Sequence, residues 1–272
     1  MRLIYIYKLK MSDKKVLEVK TVQTAPFKTL TEALKEILTD VNIEFNESSM
    51  KIITMDSSQT ILVHLKLDKE NFEYYHCVNK VIVGVNMLHF FKLIRTLTNN
   101  DALTLFVEES NLNVLGIRIE NGEKNSMTTY YLQLIDLDIV NFRAPSAAFE
   151  SVLTMPSAEF NKICRDMIQI SDVIEIKSVG SQLIFSCKGD FASQETIIGE
   201  TTQGLNFKKT CNEDNIIQGY YNLNHLVLFA KCTSLCNSIE MYMKNNFPII
   251  IKFSVGSLGS LNLALAPKLE MN

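Results

Sequence analysis

Four short stretches with helical periodicity interrupt a chain that otherwise alternates apolar and polar residues. They lie at residues 27–38, 86–97, 157–168 and 224–233. In each, apolar side chains recur three or four positions apart and therefore share one face, as in a helix packed on a core. A period of two, typical of half-buried strands, is clearest at residues 60–67, 103–107, 173–176, 183–187 and 249–253. Few helices among many strands predict an α+β fold, with antiparallel sheets and helices packed on one face.

The order of these elements repeats. A strand precedes the first helical stretch, several strands follow it, and the second stretch leads into more strands. The same order recurs around the third and fourth stretches. A period of roughly 120–130 residues is large enough for each unit to have its own core. We therefore expect two similar domains in this chain of 272 residues.

The segment between the two units, residues 136–146, has neither helical nor strict strand periodicity. It mixes acidic, proline and apolar side chains, whereas a free linker would be more polar. The apolar residues Leu137, Ile139 and Phe142 predict a connecting segment that lies against a surface of the protein.

Each helical stretch also carries lysine or arginine on the face away from its apolar residues. Lys92 and Arg95, for example, oppose Phe90, Ile94 and Leu97. The formal net charge of the chain is -3, so cations sorted onto one kind of helix face predict a polyanionic partner. The alternative is that these are ordinary solvated helix faces. The complete set is Lys28, Lys35, Lys92, Arg95, Lys162, Arg165 and Lys231.

Residues that could support catalysis or hold a metal are scattered along the chain. Six cysteines without matching Cys or His spacing are typical of reduced thiols rather than of a zinc site or a disulfide framework. The turn at residues 256–259 lacks the lysine of a phosphate-binding loop, and no apolar run approaches the roughly 18 residues of a membrane helix. We therefore expect a protein that is not an enzyme and that has no cofactor, no metal and no membrane partner. Acidic pairs such as Asp136 and Asp138 leave a metal-dependent nuclease as the catalytic alternative.

Six short motifs, in order and in register, resemble those of one family. Each is a weak signal alone, but together they span the chain from about Val16 to Glu270. On these motifs the sequence resembles proliferating cell nuclear antigen, the DNA sliding clamp, as a divergent eukaryotic or large-DNA-virus member. The motifs are Met55-Asp56-Ser57-Ser58, Gly84-Val85-Asn86, Leu134-Ile135-Asp136-Leu137-Asp138, Met155-Pro156-Ser157-Ala158-Glu159-Phe160, Ile163-Cys164-Arg165-Asp166 and Leu265-Ala266-Pro267-Lys268.

The resemblance implies the DNA-clamp fold, in which two similar domains each have antiparallel sheets outside and two helices facing a central pore. It places an N-terminal clamp domain at residues 16–133, an interdomain connecting loop at 134–148 and a C-terminal clamp domain at 149–272. Residues 1–15 have no counterpart, so we expect a flexible extension or a start at Met11. Three subunits would close head to tail into a ring, through edge strands near residues 126–133 and 192–202.

The implied function is that of a polymerase processivity factor that encircles double-stranded DNA, with the seven cations lining the pore. The fourth helix departs from the family pattern, because Asn224 stands where relatives often carry arginine. The implied partners are DNA polymerase, a clamp loader and other replication and repair proteins. The implied location is the nucleus or the replication compartment of a large DNA virus. A subunit of a hetero-oligomeric checkpoint-type clamp and a monomeric viral processivity factor remain as alternatives.

Partner proteins of the family dock a peptide with an aromatic pair and an aliphatic anchor in an apolar pocket beneath the connecting loop. Ala264 stands where the family commonly has tyrosine, and Thr60 where it has an aliphatic residue. These differences predict a shallower or differently selective pocket. The matching pocket positions are Met55, Leu62, Ile135, Leu137, Phe142, Ala144, Pro145, Pro248, Ala266 and Pro267.

Overall fold

The computed structural model describes residues 14–140, 142, 147–210 and 215–268. All four predicted helices are present, with shifted ends. A 3₁₀ turn at Lys231–Leu235 continues the fourth helix, and another lies at Lys69–Asn71. The helices are α1 (Thr24–Ile37), α2 (Met87–Ile94), α3 (Ser157–Met167) and α4 (Leu223–Ala230).

The shifted helix ends have local causes. α1 begins at Thr24 rather than at residue 27, and Pro26 is tolerated in its first turn because the missing N–H costs no hydrogen bond there. Asn86 caps α2 by accepting a hydrogen bond from the backbone N–H of His89 at 3.1 Å. Asn222 caps α4 in the same way through the N–H of Asn224 at 2.9 Å.

The strands form three antiparallel sheets, and each strand singled out from the sequence is present. The first half contributes β1 (Lys15–Thr21), β2 (Asp40–Phe45), β3 (Ser49–Met55), β4 (Ile61–Asp68), β5 (Tyr74–Cys77), β6 (Val81–Asn86), β7 (Asp101–Glu108), β8 (Asn111–Asn121) and β9 (Ser126–Gln133). The second half contributes β10 (Ser151–Pro156), β11 (Val173–Val179), β12 (Gln182–Lys188), β13 (Ser193–Gly199), β14 (Asn206–Lys209), β15 (Ile217–Asn222), β16 (Ser238–Met243), β17 (Ile249–Val255) and β18 (Gly259–Leu265).

The order of the strands shows how the halves combine. One sheet of five strands (β5-β1-β7-β8-β9) belongs to the first half, and one of four (β13-β12-β11-β15) belongs to the second. A third sheet of nine strands, β14-β10-β16-β17-β18-β4-β3-β2-β6, runs through both halves. Its junction is the β18–β4 pair, in which Leu263 lies opposite Val63. The two halves therefore share one continuous sheet.

The apolar faces of the helices pack on these sheets to form the core. Phe27 of α1 and Phe90 of α2 are both about 1% exposed, and their rings meet edge to face with centroids 6.5 Å apart. Phe160 of α3 and Phe229 of α4 are completely buried in the second half. Burying a side chain of this size stabilises the fold by about 1.5–3 kcal/mol. The opposite faces of the helices are left for solvent or a ligand.

Helix α1 also ties the two halves together. It contacts α4 and the 3₁₀ turn that follows α4. Near its N-terminus, the Gln23 side-chain oxygen accepts hydrogen bonds from Ser257 of the β17–β18 turn, through the backbone N–H at 3.1 Å and the hydroxyl at 2.9 Å. Near its C-terminus, Glu36 forms an ion pair with Lys231 at 2.6 Å.

The connecting segment lies against the nine-stranded sheet as far as Asp138, whereas Ile139, one of the apolar residues expected to lie on a surface, is 64% exposed. The N–H of Ile135 donates to the carbonyl of Gly84 in β6 at 2.9 Å. The side-chain amide of Asn42 in β2 donates to the carbonyls of Leu137 at 3.4 Å and Asp138 at 3.2 Å. A Cβ atom on Gly84 would lie 2.1 Å from the Ile135 carbonyl oxygen, so the close approach of the segment requires glycine there.

Some predictions fall on residues outside the described part of the chain. Of the expected extension at residues 1–15, only Lys14 and Lys15 are described, and Lys15 is the first residue of β1. Residues 1–13 lie outside the described residues, as do Ala144 and Pro145 of the predicted peptide pocket.

Candidate nucleic-acid interface and docking groove

The four helices form one layer across both halves of the molecule. α1 contacts α2, α3 contacts α4, and α1 contacts α4, so the two helix pairs adjoin. Because each helix buries its apolar stripe, the polar stripes of all four face away from the core. This layer carries all seven predicted DNA-binding cations.

Four of these cations extend freely into solvent. Lys92 of α2, Arg95 just after it, and Lys162 and Arg165 of α3 are all exposed. Within the described residues, none of their side chains has a hydrogen bond or an ion pair. Such side chains are available to a polyanion at little cost in lost contacts.

The other three cations already have partners within the protein. Lys28 is partly buried and donates to the carbonyl oxygen of Leu97 at 3.1 Å. The Lys35 ammonium lies 4.9 Å from the centre of the Phe91 ring and is paired with Glu36. Lys231 is paired with the other oxygen of Glu36 at 2.6 Å. The predicted set of seven is therefore present on one layer, but its members differ in availability.

Glu36 is a functional candidate that the sequence reasoning missed. Hydrogen bonds from Lys231 and Lys35 lower the pKa of this carboxyl from 4.5 to about 2, so it is ionised at neutral pH. The adjacent position of Lys35 offered a weak local signal. The contact with Lys231, 195 residues away, required the fold.

Asn224, which stands in place of an expected arginine, is exposed at the start of α4. Its side-chain amide donates to the Asp172 carboxylate at 3.2 Å. The side chain of Asn224 is thus engaged by a neighbouring carboxylate.

The sheets have six edges in the described part of the chain, and four of them are short or covered. β5 and β14 have only four residues each. Ile135 bonds to β6, and the N–H of Lys268 donates to the carbonyl of Tyr220 in β15 at 2.7 Å. No described residue covers the remaining edges, β9 with eight residues and β13 with seven. These are the two edge strands expected from the sequence.

An apolar groove crosses the outer face of the nine-stranded sheet at the junction of the two halves. Leu62 lies opposite Ala264, Ala264 opposite Ile250, and Ile250 opposite Tyr242, so the four form one row. Side chains directly opposite each other on antiparallel strands are neighbours on one face. This docking groove contains a cavity of about 170 Å³ lined by Leu62, His64, Phe149, Tyr242, Ile250, Asn262 and Ala264.

Aromatic packing shapes one end of the docking groove. The Phe149 ring contacts Tyr242 at 5.3 Å and Phe247 at 5.7 Å between centroids. Burial raises the pKa of the Tyr242 hydroxyl to about 12, and it lowers the pKa of His64 below 6.5. Both side chains are therefore neutral at pH 7, as suits an apolar docking surface.

The structure distributes the predicted pocket residues along this region. Leu62 lines the cavity of the docking groove, and Met55 lies beside Leu62 on the neighbouring strand. Ala266 adjoins the same hairpin, because its N–H donates to the Thr60 carbonyl at 3.2 Å. Pro267 instead lines a separate, more polar cavity of about 730 Å³ with Tyr220.

The other described pocket positions do not line the cavity of the docking groove. Ile135, Leu137 and Phe142 lie on the connecting segment, and Pro248 precedes β17. His64, Phe149, Tyr242, Ile250 and Asn262 line that cavity but were missed. His64 shares the face of Leu62 by alternation along β4, whereas Ile250, Tyr242 and Asn262 follow only once the strand register is known.

The described residues contain no cluster of three or more His, Cys, Asp or Glu side chains that could hold a metal ion. None of the described helices combines the length and hydrophobicity needed to cross a membrane.

Two halves with outer antiparallel sheets and a shared helix layer that carries cations define a DNA-clamp fold, which confirms the predicted fold class. The chain belongs to the proliferating cell nuclear antigen family. Residues 16–142 match the N-terminal domain model of that family, and residues 143–268 match its C-terminal domain model.

Individual relatives agree with this assignment. A protein of Paramecium bursaria Chlorella virus 1, named probable DNA polymerase sliding clamp 1, is 37% identical over 265 residues, which cover 96% of this chain and 100% of that protein. Proliferating cell nuclear antigen of Chaetomium thermophilum is 29% identical over 259 residues, 93% of this chain and 98% of that protein. The crystal structure of the Entamoeba histolytica protein of that name superposes with a TM-score of 0.86 at 23% identity, covering 94% of this chain and 100% of the other.

Proposed function

We propose that this protein is a DNA sliding clamp, a processivity factor that tethers polymerase to duplex DNA. The observation that carries the proposal is the helix layer, where Lys92, Arg95, Lys162 and Arg165 are exposed without partners among the described residues. The family to which the chain belongs acts without catalysis, and the protein is not an enzyme. Its partners are DNA and polymerase, and it acts where DNA is replicated.

We propose that three copies close into a ring through β9 of one subunit and β13 of the next. Unpaired backbone groups on a long edge favour pairing with another strand. Both edges expose large apolar side chains, with Met127 and Tyr131 of β9 above 60% exposed and Ile197 of β13 at 55%. Because unlike strands would meet, repetition of the contact produces a ring when its rotation closes after three copies.

In such a ring the helix layers of the subunits would line the hole, and the free cations would meet the phosphate backbone. Phosphate contacts carry no sequence information, so long flexible cations allow the duplex to move without a fixed register. The net charge of -3 on the whole chain discourages DNA binding elsewhere on its surface.

The docking groove is the proposed site for peptide motifs of polymerase, a clamp loader and other replication and repair proteins. Its cavity of about 170 Å³ lies on the outer face of the sheet, away from the helices. Apolar side chains around a small pocket favour an aromatic or aliphatic anchor. In this chain Ala264 leaves the space open, and Phe149 and Tyr242 supply the aromatic wall.

Ile250→Arg tests the docking groove, because it places a charged side chain in the cavity. We expect at least a tenfold loss of affinity for a peptide with an aromatic pair, since the guanidinium both fills the space and desolvates poorly. Ser254→Arg is the matched control, as Ser254 is exposed and lies four residues along the same strand, on the same face. Calorimetric titration measures both, and equal affinities for the two variants would place the docking site elsewhere.

We propose domains at residues 16–133 and 149–272, joined by a connecting loop at 134–148, with residues 1–15 as an extension whose last residue, Lys15, begins β1. The two family matches meet at residues 142 and 143, inside the proposed loop. We further propose the nucleus or a viral replication compartment as the place of action. No observation on the described residues favours a hetero-oligomeric checkpoint-type clamp or a monomeric processivity factor.

Retention on circular DNA tests the proposed function. A protein ring assembled on a closed circular duplex should stay bound in high salt and slide off after a single cut, because topology rather than affinity retains it. Equal loss from intact and cut circles would contradict encirclement. A clamp should also lengthen the products of its polymerase.

A further inference from the structure

One carboxylate lies between two of the seven cations on the helix layer. One oxygen of Glu36 is paired with the ammonium of Lys35, and the other accepts from Lys231 at 2.6 Å. The side chain of Lys35 is only 17% exposed, whereas those of Glu36 and Lys231 are 34% and 46% exposed. The carboxylate therefore neutralises two cations at a place that solvent, and a ligand, can reach.

We propose that Glu36 acts as an intramolecular counter-anion. It pairs with Lys35 and Lys231, keeps them from the DNA backbone, and so lowers the affinity of the clamp for DNA. Two ammonium groups that converge on one carboxylate also have the spacing to converge on one phosphate. The carboxylate occupies the position that a phosphate would take. This inference deepens the proposed function and rests on it.

The electrostatics of DNA binding give this arrangement a measurable consequence. Each cation that neutralises a phosphate releases condensed counterions and contributes about -0.9 to the slope of log K against log salt concentration. A cation already paired with a carboxylate contributes less, because its pairing must be broken first. The low pKa of Glu36, about 2, means that proton uptake does not relieve this pairing near neutral pH.

Glu32 provides a matched control on the same helix. It is exposed, lies one turn before Glu36 on the same face, and has no ion pair within the described residues. Glu32→Gln and Glu36→Gln both remove one negative charge from α1, but only the second frees two lysines. A difference between them therefore reports the pairing and not the general change in charge.

The experiment titrates a short fluorescent duplex with each full-length variant at several salt concentrations. We expect Glu36→Gln to bind several-fold more tightly than wild type at low salt and to steepen the salt slope by about 1–2, as expected for two new phosphate contacts. Glu32→Gln should change the slope by less than about 0.5. Equal slopes for the two variants would overturn the inference.

A second background guards against an indirect effect of Glu36→Gln on folding or assembly. In the Lys35→Gln/Lys231→Gln variant, Glu36→Gln should add no more than Glu32→Gln does, because no paired cation remains to be freed. A further steepening of the salt slope in that background would mean that Glu36 acts by general repulsion of DNA, and would overturn the inference. If correctly folded wild type is lost equally from intact and cut circular duplexes, the proposed function itself fails. That outcome is distinct from a wild type that binds but does not respond to Glu36→Gln.

Discussion

Helices α1 and α3 carry similar stripes of positive charge in the sequence but present them differently in the structure. On α3, Lys162 and Arg165 are exposed and have no partner in the described part of the chain. On α1, Lys28 is bonded to a backbone carbonyl, and Lys35 is bonded to Glu36. α1 is the helix that joins the two halves, so its polar face has neighbours that the face of α3 lacks.

This difference shows that helical periodicity predicts the face of a cation but not its availability. Lys28 and Lys35 are seven residues apart and share a stripe with the right orientation. Lys28 is nevertheless engaged by the carbonyl of Leu97, and Lys35 by the adjacent Glu36 and the ring of Phe91. α1 thus mainly connects the two halves of the protein, whereas the unpaired cations lie on or next to α2 and α3.

Charge reversal should give the largest difference in DNA affinity between the exposed, unpaired cations and those already engaged within the protein. We expect Lys92→Glu/Arg95→Glu and Lys162→Glu/Arg165→Glu each to weaken duplex binding by roughly tenfold or more and to flatten the salt slope by about 2. Two further measurements should accompany this one. The oligomeric mass should remain unchanged, and clamp-dependent DNA synthesis should be reduced.

The control for that prediction is Lys28→Gln/Lys35→Gln, which should weaken binding by less than about threefold because those cations are already engaged. A larger loss from this pair than from the reversed pairs would invalidate the distinction between α1 and α3.

Lys28→Met should affect stability more than DNA binding. The methionine retains the apolar stem but removes the hydrogen bond to the Leu97 carbonyl, at a cost of about 1–2 kcal/mol in the free energy of unfolding. Lys162→Met should stay within about 0.5 kcal/mol, since its ammonium has no described partner. Urea unfolding measures both, and equal costs would show that the Lys28 bond contributes nothing.

A smaller effect is expected in the pH dependence of stability. The folded-state pKa of Glu36, about 2, lies below its ordinary value of 4.5, so the unfolded chain binds the proton more readily. Wild type should therefore exceed Glu36→Gln in stability above about pH 4.5, and that advantage should shrink as the pH falls towards 2. Because the pair is partly exposed, the advantage is at most about 1 kcal/mol. Thermal unfolding across that range checks it, and a gap that widens on acidification would contradict the assignment.

The fold could be predicted from the sequence because its signals are local. Alternation and helical spacing placed the strands and helices, and only their ends shifted, as at Pro26 in the first turn of α1. Of the residues that line the cavity of the docking groove, Leu62 was among the predicted pocket positions, whereas Ile250 and Tyr242 depend on strand register across the junction of the two halves. The Glu36–Lys231 pair joins residues 195 apart, and no local pattern encodes such a contact.

The mass of the protein in solution tests the central claim most directly. Light scattering during gel filtration at micromolar concentration should give three times 30.9 kDa, about 93 kDa, if β9 and β13 close a ring of three subunits. A mass that stays at 30.9 kDa across that concentration range would contradict the ring, and with it the pore in which the free cations meet DNA.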